Sequence, residues 1–347
     1  MRKIASHYFN LISIENLFQA WQEFKKGKRA KIDVQLFERH LEDNLFDLHY
    51  KLANKTYKHG WYLEFFVHDP KRRHIHKASV EDRIVHHLLY KFLYEIFDKT
   101  FIFDSYSCRL EKGIHCAVAR LKKFTKIVSK NYTRDCWVLK LDIKKFFDSV
   151  DHQILINLIS KRIPDRDTLW RIYQVIDSFH SAAGIDKGIP LGNLTSQIFA
   201  NVYLNELDQF VKGKLKIKYY LRYADDFIIL SQNRKFLYQC INTLKQFLKE
   251  NLKLELHPSK IILRNLQWGI DFCGYIVLLH YLLPRTKTKR RIFAKIKNKI
   301  VVENLAVTNP DSIFQSVQSY LGYLKHANSY KLQQTLKNQL WFLGSRN

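Results

Sequence analysis

The sequence predicts an α+β protein of several lobes, mostly helical and with one small sheet. Apolar residues recur at three- and four-residue spacing through residues 80–97, which is the pattern of a long amphipathic helix. Two short apolar runs flank an acidic pair at residues 225–226, as in a β-hairpin. Only 11 Gly and 6 Pro punctuate the 347 residues, and no low-complexity linker or internal repeat separates globular pieces.

Further elements follow this helix in a regular order. They are a strand over residues 137–141, helices over 153–159 and 196–210, hairpin strands over 219–223 and 227–230, and a helix over 236–248. Residues 285–299 then hold eight basic residues and no acidic one, the densest positive stretch of the chain. We therefore place a boundary near Pro284 and predict a basic helical segment after it.

The charge balance narrows the class of partner. Lys and Arg outnumber Asp and Glu by 58 to 32, a formal net charge of +26, which repels itself unless a polyanion screens it. Nucleic acid is the first candidate and an anionic membrane surface the second. The most apolar run, residues 275–283, is far shorter than the roughly 20 residues of a membrane span, and residues 1–21 lack a signal-peptide core. We therefore expect a cytoplasmic protein without a membrane partner.

The cysteines predict neither a disulfide framework nor a zinc site. They lie far apart and include no C-x-x-C pair. We expect buried thiols in a reducing cytosol at all five positions: Cys108, Cys116, Cys136, Cys240 and Cys273.

Three aspartates form the candidate catalytic centre. Asp142 ends an apolar strand, and Asp225 and Asp226 stand at the hairpin tip. Adjacent carboxylates repel each other, and divalent cations with oxygen ligands usually compensate them. A turn or helix-cap role is the alternative for the pair alone. Three carboxylates on adjacent strands can hold two Mg²⁺ ions roughly 3.5–4 Å apart, an arrangement that nucleases and polymerases share.

The surrounding motifs decide between those two classes. Seven segments, in order along nearly the whole chain, resemble the motifs of the reverse transcriptases: residues 71–87, residues 105–118, LDIKKFFDSVD around Asp142, GIPLGNLTSQIFANVYL over residues 188–204, YADD over residues 223–226, LKLELHPSKIIL around Lys260, and DFCGYIV over residues 271–277.

This resemblance implies a right-hand polymerase fold. It implies fingers over residues 1–135, with a further insertion around residues 152–190, a palm with a small antiparallel sheet over residues 136–283, and a basic helical thumb over residues 284–347. It also implies an RNA-directed DNA polymerase that uses two Mg²⁺ ions, for which Mn²⁺ can substitute. Its expected partners are a template RNA, the primer and cDNA duplex, and dNTPs.

The resemblance assigns a role to individual residues. Asp142 and Asp225 would bind the metal directly, with Asp226 in support and Ile143 as a further ligand. Lys260 would donate a proton to pyrophosphate, although a solvated lysine is the plain alternative. The residues expected to bind dNTP are Lys71, Arg73, Arg109, Phe147 and Gln197, with Arg72 as a competitor.

Phe147 would clash with a 2′-hydroxyl, although an ordinary core aromatic is the alternative. The expected primer grip is Phe272, Cys273, Gly274 and Tyr275. The cations expected to contact a duplex backbone without reading bases are Lys287, Lys289, Arg290, Arg291 and Lys295.

One segment indicates a subfamily. Group II intron enzymes usually read Q-G-x-x-x-S-P where this chain has Leu191, Gly192, Ser196 and Gln197. With SYSCRLEKG and residues 319–332, this variant resembles the reverse transcriptases of diversity-generating retroelements. Those bacterial or phage-encoded enzymes copy an RNA with errors at template adenines, and the cDNA replaces a variable stretch of a target gene.

In that family the residue before this glycine and a fingers arginine affect how adenine is read. By position, the template and fidelity residues here are Leu191, Gly192 and Arg73. A small accessory variability protein is the further partner that this resemblance implies.

Three other functions stay open at this point. A phage-defence polymerase related to reverse transcriptases, in some cases template-independent, is the second hypothesis. A catalytically silent RNA-binding scaffold is the third, against which the intact Asp142, Asp225 and Asp226 argue. A metal-dependent nuclease is a remote fourth.

Overall fold

The computed structural model describes residues 7–69, 71–304 and 310–344. Residues 1–6 and 70 of the predicted fingers, and residues 305–309 and 345–347 of the predicted thumb, lie outside the described residues.

Helices make up most of the described chain. They are α1 (His7–Leu11), α2 (Ile14–Phe24), α3 (Ile32–Arg39), α4 (Leu41–Ala53), α5 (Val80–Phe97), α6 (Ile114–Val128), α7 (Phe146–Ser149), α8 (His152–Ser160), α9 (Arg166–Asp177), α10 (Leu194–Gln209), α11 (Arg234–Leu252), α12 (Thr286–Asn304), α13 (Pro310–Leu324) and α14 (Tyr330–Gly344).

The strands form three small antiparallel sheets. They are β1 (Leu63–Val67), β2 (Arg73–Lys77), β3 (Trp137–Asp142), β4 (Tyr220–Tyr223), β5 (Asp226–Ser231), β6 (Ile262–Asn265), β7 (Ile270–Phe272), β8 (Tyr275–Val277) and β9 (Leu282–Pro284). The first sheet is the β1–β2 ribbon, the second has the order β4-β5-β3-β6, and the third the order β7-β8-β9. Mostly helical elements with small antiparallel sheets confirm the predicted α+β class.

The central four-stranded sheet is buried on both faces. Leu139 and Leu141 of β3 pack into a core formed with the N-terminal helices, α5, α8, α10 and α11. Val138, the residue before Leu139, points to the opposite face and packs into a second core with α6 and the third sheet. This alternation follows from the two-residue period of a strand. Because both faces of the sheet are covered, polar side chains lie at the ends of its strands, such as Asp142 at the end of β3.

Local capping explains where the principal helices begin. The Ser79 side chain accepts a hydrogen bond from the Asp82 amide at the start of α5, and Asp151 and Asn233 cap α8 and α11 in the same way. The helix predicted over residues 80–97 is α5. The other predicted helices and strands are present with ends shifted by a few residues.

One expectation about the cysteines is wrong in part. Cys136 and Cys240 are buried, but Cys108 and Cys116 are exposed and Cys273 is half-buried. Cys108 lies in a tight turn with φ +54°, which places it at the surface rather than on an apolar face. Among the described residues, no helix combines the length and the apolar character needed to cross a membrane.

The predicted thumb joins the palm through a hairpin. Cys273 and Gly274 have φ +49° and +88°, the conformation of the tight turns that connect two antiparallel strands, here β7 and β8. The Tyr323 hydroxyl of α13 donates to the Gly274 carbonyl at 2.6 Å, and its ring stacks on Tyr275. The hairpin is therefore fastened directly to the C-terminal helices.

Candidate active site

The sheet brings the three aspartates together. Asp142, the last residue of β3, pairs in register with Asp226, the first residue of β5. Asp225 precedes it in the two-residue turn between β4 and β5, where Ala224 takes φ +54°. Asp142 is 6% exposed, and the other two are half-buried. Three carboxylates therefore share one edge of the sheet, as the sequence predicted.

A buried ion pair under the hairpin was missed by the sequence reasoning. Arg222 and Asp208 have no exposed side-chain surface, and the guanidinium Nη2 lies 2.7 Å from the carboxylate. Arg222 Nη1 also donates to the Ala224 carbonyl at 3.0 Å and to the Asn201 side chain at 3.3 Å. The pair therefore fixes the turn that carries Asp225. Its only sequence signal is an Arg in an otherwise apolar strand.

The shared edge carries uncompensated negative charge. Burial, together with the Asp142 carboxylate, raises the pKa of Asp226 to about 6, although Lys140 at 3.8 Å opposes the shift. Burial and the Asp142 charge also raise the pKa of Asp225, against the positive charges of Lys260 and Lys71. Two carboxyl groups that resist ionisation next to a third indicate a site that needs added positive charge.

Lysines supply part of that charge. Lys260, in the turn before β6, places Nζ 2.7 Å from Asp142 Oδ1. Lys140 donates to the Asp271 carbonyl at 3.1 Å and so stands between Asp226 and the predicted primer grip. Lys71 is close enough to lower the pKa of Asp225. The structure thus brings two predicted cations, Lys71 and Lys260, to the aspartates.

The carboxylate oxygens fit a divalent cation site. They are the hard ligands that Mg²⁺ and Mn²⁺ prefer, and a bound cation would oppose the burial and the repulsion from Asp142 that raise the pKa of Asp225 and of Asp226. The backbone of Ile143 continues β3 and bridges to Leu256, so its carbonyl belongs to the same edge. Two other groups of potential ligands lie apart from this edge: Glu64, His74 and His76, and His152, Asp177, His180 and Asp186.

A cleft of about 920 Å³ separates β2 from the palm, and we call it the central cleft. Its lining includes Arg73, His76, Asp148, Ile189 and Leu191. The structure therefore brings two of the three predicted fidelity positions, Arg73 and Leu191, into one cavity.

Backbone contacts hold the two walls of the central cleft together. The His76 amide donates to the Leu191 carbonyl at 2.9 Å, and the Asn193 side chain donates to the His76 carbonyl at 2.8 Å. Gly192 has φ +112°, and a Cβ there would lie 2.8 Å from an Ile75 methyl group. A glycine is therefore required at this close approach.

Arg109 differs from the other predicted nucleotide ligands. Its guanidinium is 8% exposed, pairs with Asp98 at 2.6 Å, and donates to the Ile102 and Ser105 carbonyls. The structure directs this side chain into the fold, where it holds the loop before α6, rather than toward the aspartates. Gln197 is exposed on α10, and Lys71 and Arg73 are exposed next to the central cleft.

Phe147 and the predicted primer grip sit at the edges of this region. Phe147 is half-buried, packs against Phe146, and accepts the Ile189 amide through its carbonyl at 2.8 Å. Phe272 and Tyr275 are fully buried, so only the turn between them, Cys273 and Gly274, can face a ligand.

The predicted backbone cations divide into two groups. Lys287, Lys289 and Arg290 are exposed on α12. Arg291 lies 3.6 Å from Asp69 in the loop between β1 and β2, and Lys295 contacts the same carboxylate.

Comparison with known families decides the assignment. A family model described as "Reverse transcriptase (RNA-dependent DNA polymerase)" matches residues 67–277, well over half of the chain. The chain belongs to the reverse transcriptase family. The matched range contains the three aspartates, Lys260 and most of the residues that line the central cleft.

Curated relatives of this reverse transcriptase include intron-encoded proteins. The group II intron-encoded protein LtrA of Lactococcus lactis subsp. cremoris is 25% identical over 275 residues, which cover 59% of this chain and 44% of LtrA. The protein YkfC of Escherichia coli K12 is 25% identical over 241 residues, covering 59% of this chain and 63% of YkfC. The chain spans less than two thirds of the length of each of these relatives.

A solved structure shows the same fold. Apo telomerase from Candida tropicalis aligns with a TM-score of 0.53 at 12% sequence identity, covering 82% of this chain and 59% of the telomerase. This likeness, with the mixed helices and small antiparallel sheets, confirms the right-hand polymerase fold that the motifs implied.

Proposed function

We propose that this chain is an RNA-directed DNA polymerase that extends a primer on an RNA template. The observation that carries the proposal is the register pair Asp142 and Asp226, with Asp225 in the adjoining turn, where two strands of a buried sheet meet. Mg²⁺ bound there would activate the primer hydroxyl and stabilise the leaving oxygen. Asp142, Asp225, Asp226 and the Ile143 carbonyl would hold it.

The chain's own side chains would orient the substrate and move the proton. Lys71 and Arg73 are suited to phosphate oxygens, because Lys71 is exposed and its charge acts on Asp225, and Arg73 is exposed on the wall of the central cleft. Lys260 carries a proton 2.7 Å from Asp142 and can give it to the departing pyrophosphate oxygen. Phe147 would lie against the sugar of the incoming nucleotide and exclude a 2′-hydroxyl.

Primer extension on an RNA template, with Mg²⁺ and the four dNTPs, tests this proposal. We expect extension by the unmodified chain, and loss of at least a hundredfold in rate in Asp225→Asn. Asp167→Asn removes the same charge from an exposed pair with Lys55 and serves as the matched control, with unchanged extension. Extension unaffected by Asp225→Asn would contradict the site. Synthesis that ignores the template would instead support a template-independent defence polymerase.

We infer further that the enzyme makes error-rich cDNA of the diversity-generating type. Leu191 lines the central cleft with Arg73, and its apolar side chain offers no hydrogen bond to a nascent base pair. An accessory variability protein would complete the system, and the surplus of positive charge leaves basic surface for it beside the RNA.

Sequencing of the cDNA tests the error spectrum. Errors should concentrate at template adenines, and Leu191→Gln should lower them severalfold, because the amide can anchor the base pair. Leu191→Met keeps an apolar side chain and should leave the error rate unchanged. Uniformly accurate cDNA from the unmodified chain would retain the polymerase and reject the diversity role.

A further inference from the structure

A cluster of two histidines and two aspartates lies apart from the three catalytic aspartates, with His180 on the wall of the central cleft. His152 is the first residue of α8, Asp177 is the last residue of α9, and His180 and Asp186 lie in the loop between α9 and α10. One potential ligand atom from each lies within 4.8 Å of the other three. The polymerase chemistry proposed above uses none of these four side chains.

The buried histidine of this cluster has a free ring nitrogen. His152 is 1% exposed, and its Nε2 lies 2.7 Å from the Gly188 carbonyl oxygen. A carbonyl oxygen only accepts, so the proton of the neutral ring is on Nε2 and a lone pair is on Nδ1. Nδ1 is buried and has no hydrogen-bond partner. Histidines that bind metals characteristically donate their other N–H to a backbone carbonyl in this way.

The other three side chains complete a four-ligand set. His180 Nε2 lies 4.0 Å from Asp177 Oδ1, and His180 Nδ1 accepts a hydrogen bond from the Asp186 amide at 3.2 Å. Two imidazoles and two carboxylates offer the nitrogen and oxygen donors that Zn²⁺ takes in tetrahedral sites.

The backbone already holds the ligands side by side. The His152 amide donates to the Asp186 carbonyl at 3.0 Å, and the Gly188 amide donates to the Val150 carbonyl at 2.7 Å. Gly188 has φ +100°, and a Cβ there would lie 2.6 Å from Ser181 Cβ, so the loop is folded tightly on itself. These contacts already order the loop, so binding of an ion would lose little further conformational entropy.

We propose that His152, Asp177, His180 and Asp186 form a structural Zn²⁺ site that fastens the loop between α9 and α10 to the start of α8. The loop leads through Gly188 into Ile189 and Leu191, which line the central cleft. Zinc at this site stabilises one wall of that cleft without taking part in the chemistry at the aspartates.

The second cluster, Glu64, His74 and His76, provides a comparison within the same chain. It offers three ligands, and His74 Nε2 is already paired with a Glu64 oxygen at 3.0 Å. The free ring nitrogen of His76 is Nδ1, whereas the nitrogen nearest Glu64 is Nε2. This cluster therefore lacks a fourth ligand, and its free ring nitrogen is not the one nearest the carboxylate.

Zinc content of the full chain tests the proposal. After treatment with a chelator and dialysis against Zn²⁺ and then metal-free buffer, we expect one zinc per chain by mass spectrometry. The variant Asp177→Asn, His180→Ala should retain less than a tenth of that amount. Both side chains are more than 40% exposed, so this variant should keep its core. Zn²⁺ should raise the melting temperature of the unmodified chain by several degrees and leave that of the variant unchanged.

Two controls locate the ion. His74→Ala should keep one zinc, and so should Cys108→Ser, Cys116→Ser, which removes the exposed thiols. No retained zinc in the unmodified chain, an unchanged amount in Asp177→Asn, His180→Ala, or loss in either control would overturn the proposal. Asp225→Asn should lose primer extension but keep its zinc, so the two proposals fail separately.

Discussion

Lys260 Nζ lies 2.7 Å from Asp142 Oδ1, across the β3–β6 edge of the central sheet. The contact partly neutralises the Asp142 carboxylate. The charge of Asp142, together with burial, makes ionisation of Asp225 and Asp226 unfavourable. A lysine in this place can act in two ways: as a counter-ion that competes with a divalent cation, and as a proton donor during the reaction.

Lys260→Gln separates these two actions. Without the ammonium, less Mg²⁺ should be needed for half-maximal primer extension, because a competing positive charge is gone. The rate at saturating Mg²⁺ should nevertheless fall by about 10²- to 10⁴-fold, the usual contribution of a general acid. Titration of Mg²⁺ against single-turnover rates measures both. An unchanged saturated rate would reduce Lys260 to a counter-ion.

Asp226 makes the stability of the metal-free protein depend on pH. Its pKa is about 6 in the fold against 3.8 for a free aspartate side chain, so the folded state favours the protonated form. The resulting stabilisation is fully present below pH 3.8 and is lost as the pH rises through 6. Asp226→Asn should therefore raise the free energy of unfolding at pH 7 in EDTA by about 1 kcal/mol, since partial exposure screens the full effect.

Urea unfolding of both forms between pH 4 and pH 7.5 measures this difference. The gain in Asp226→Asn should shrink toward pH 4, where the wild-type carboxyl is protonated, while primer extension is lost at every pH. A difference in stability that does not vary with pH would contradict the assignment. Mg²⁺ added at pH 7 should stabilise the wild type more than the variant.

Arg222 tests how far the hairpin depends on the buried ion pair. Arg222→Met leaves Asp208 charged and unpaired in the core, which should cost about 3–5 kcal/mol. The double variant Arg222→Met, Asp208→Leu removes both charges and should recover most of that stability, but not the hydrogen bond to the Ala224 carbonyl. We therefore expect it to fold and still extend primers slowly. Full activity in the double variant would show that this bond is dispensable.

Local patterns sufficed for the elements that carry the aspartates. The spacing of apolar residues and a capping serine determine α5, and an apolar run followed by an acidic residue determines β3 and its end at Asp142. The YADD tip follows from the two apolar runs that flank it, whereas the hairpin at Cys273 was expected only from the resemblance of residues 271–277 to a family motif.

Contacts between distant segments could not be read from the sequence. Arg222 pairs with Asp208, and the His76 amide bonds to the Leu191 carbonyl, only because the helices and strands pack against one another. Arg109 shows the opposite failure. A motif suggested that Arg109 binds a nucleotide. Its guanidinium instead pairs with Asp98, which lies eleven residues upstream, directly after the end of α5. Charge and motif alone do not reveal which partner is nearest.

Phe147 tests the proposed selection of the sugar. Phe147→Val shortens a half-buried side chain beside the central cleft and should lower discrimination against rNTPs by 10- to 200-fold, the range typical for changes in pocket size. Single-nucleotide incorporation with dCTP and CTP measures the ratio. Phe146→Leu alters the neighbouring, fully buried ring and should reduce stability while leaving the ratio unchanged. Equal ratios in both variants and the wild type would leave Phe147 as a core aromatic.

Asp69 holds two predicted nucleic-acid contacts in place. It lies 3.6 Å from Arg291 and also contacts Lys295. Two cations of α12 are therefore ion-paired with the loop between β1 and β2. Hydrogen bonding to Lys295 lowers the pKa of Asp69, so the contact is ionic at neutral pH. Asp69→Asn should release these cations and tighten binding of an RNA–DNA duplex severalfold at low salt.

The salt dependence of that binding distinguishes new phosphate contacts from a general gain in positive charge. Each added contact should steepen the slope of log affinity against log salt by somewhat less than one unit, so Asp69→Asn should add between one and two units. Asp167→Asn changes the net charge equally at the exposed pair with Lys55 and should leave the slope unchanged. Equal shifts in both variants would contradict a direct role for Arg291 and Lys295. Lys295→Ala in the Asp69→Asn background should then remove about half of the added slope, because one of the two released cations is gone.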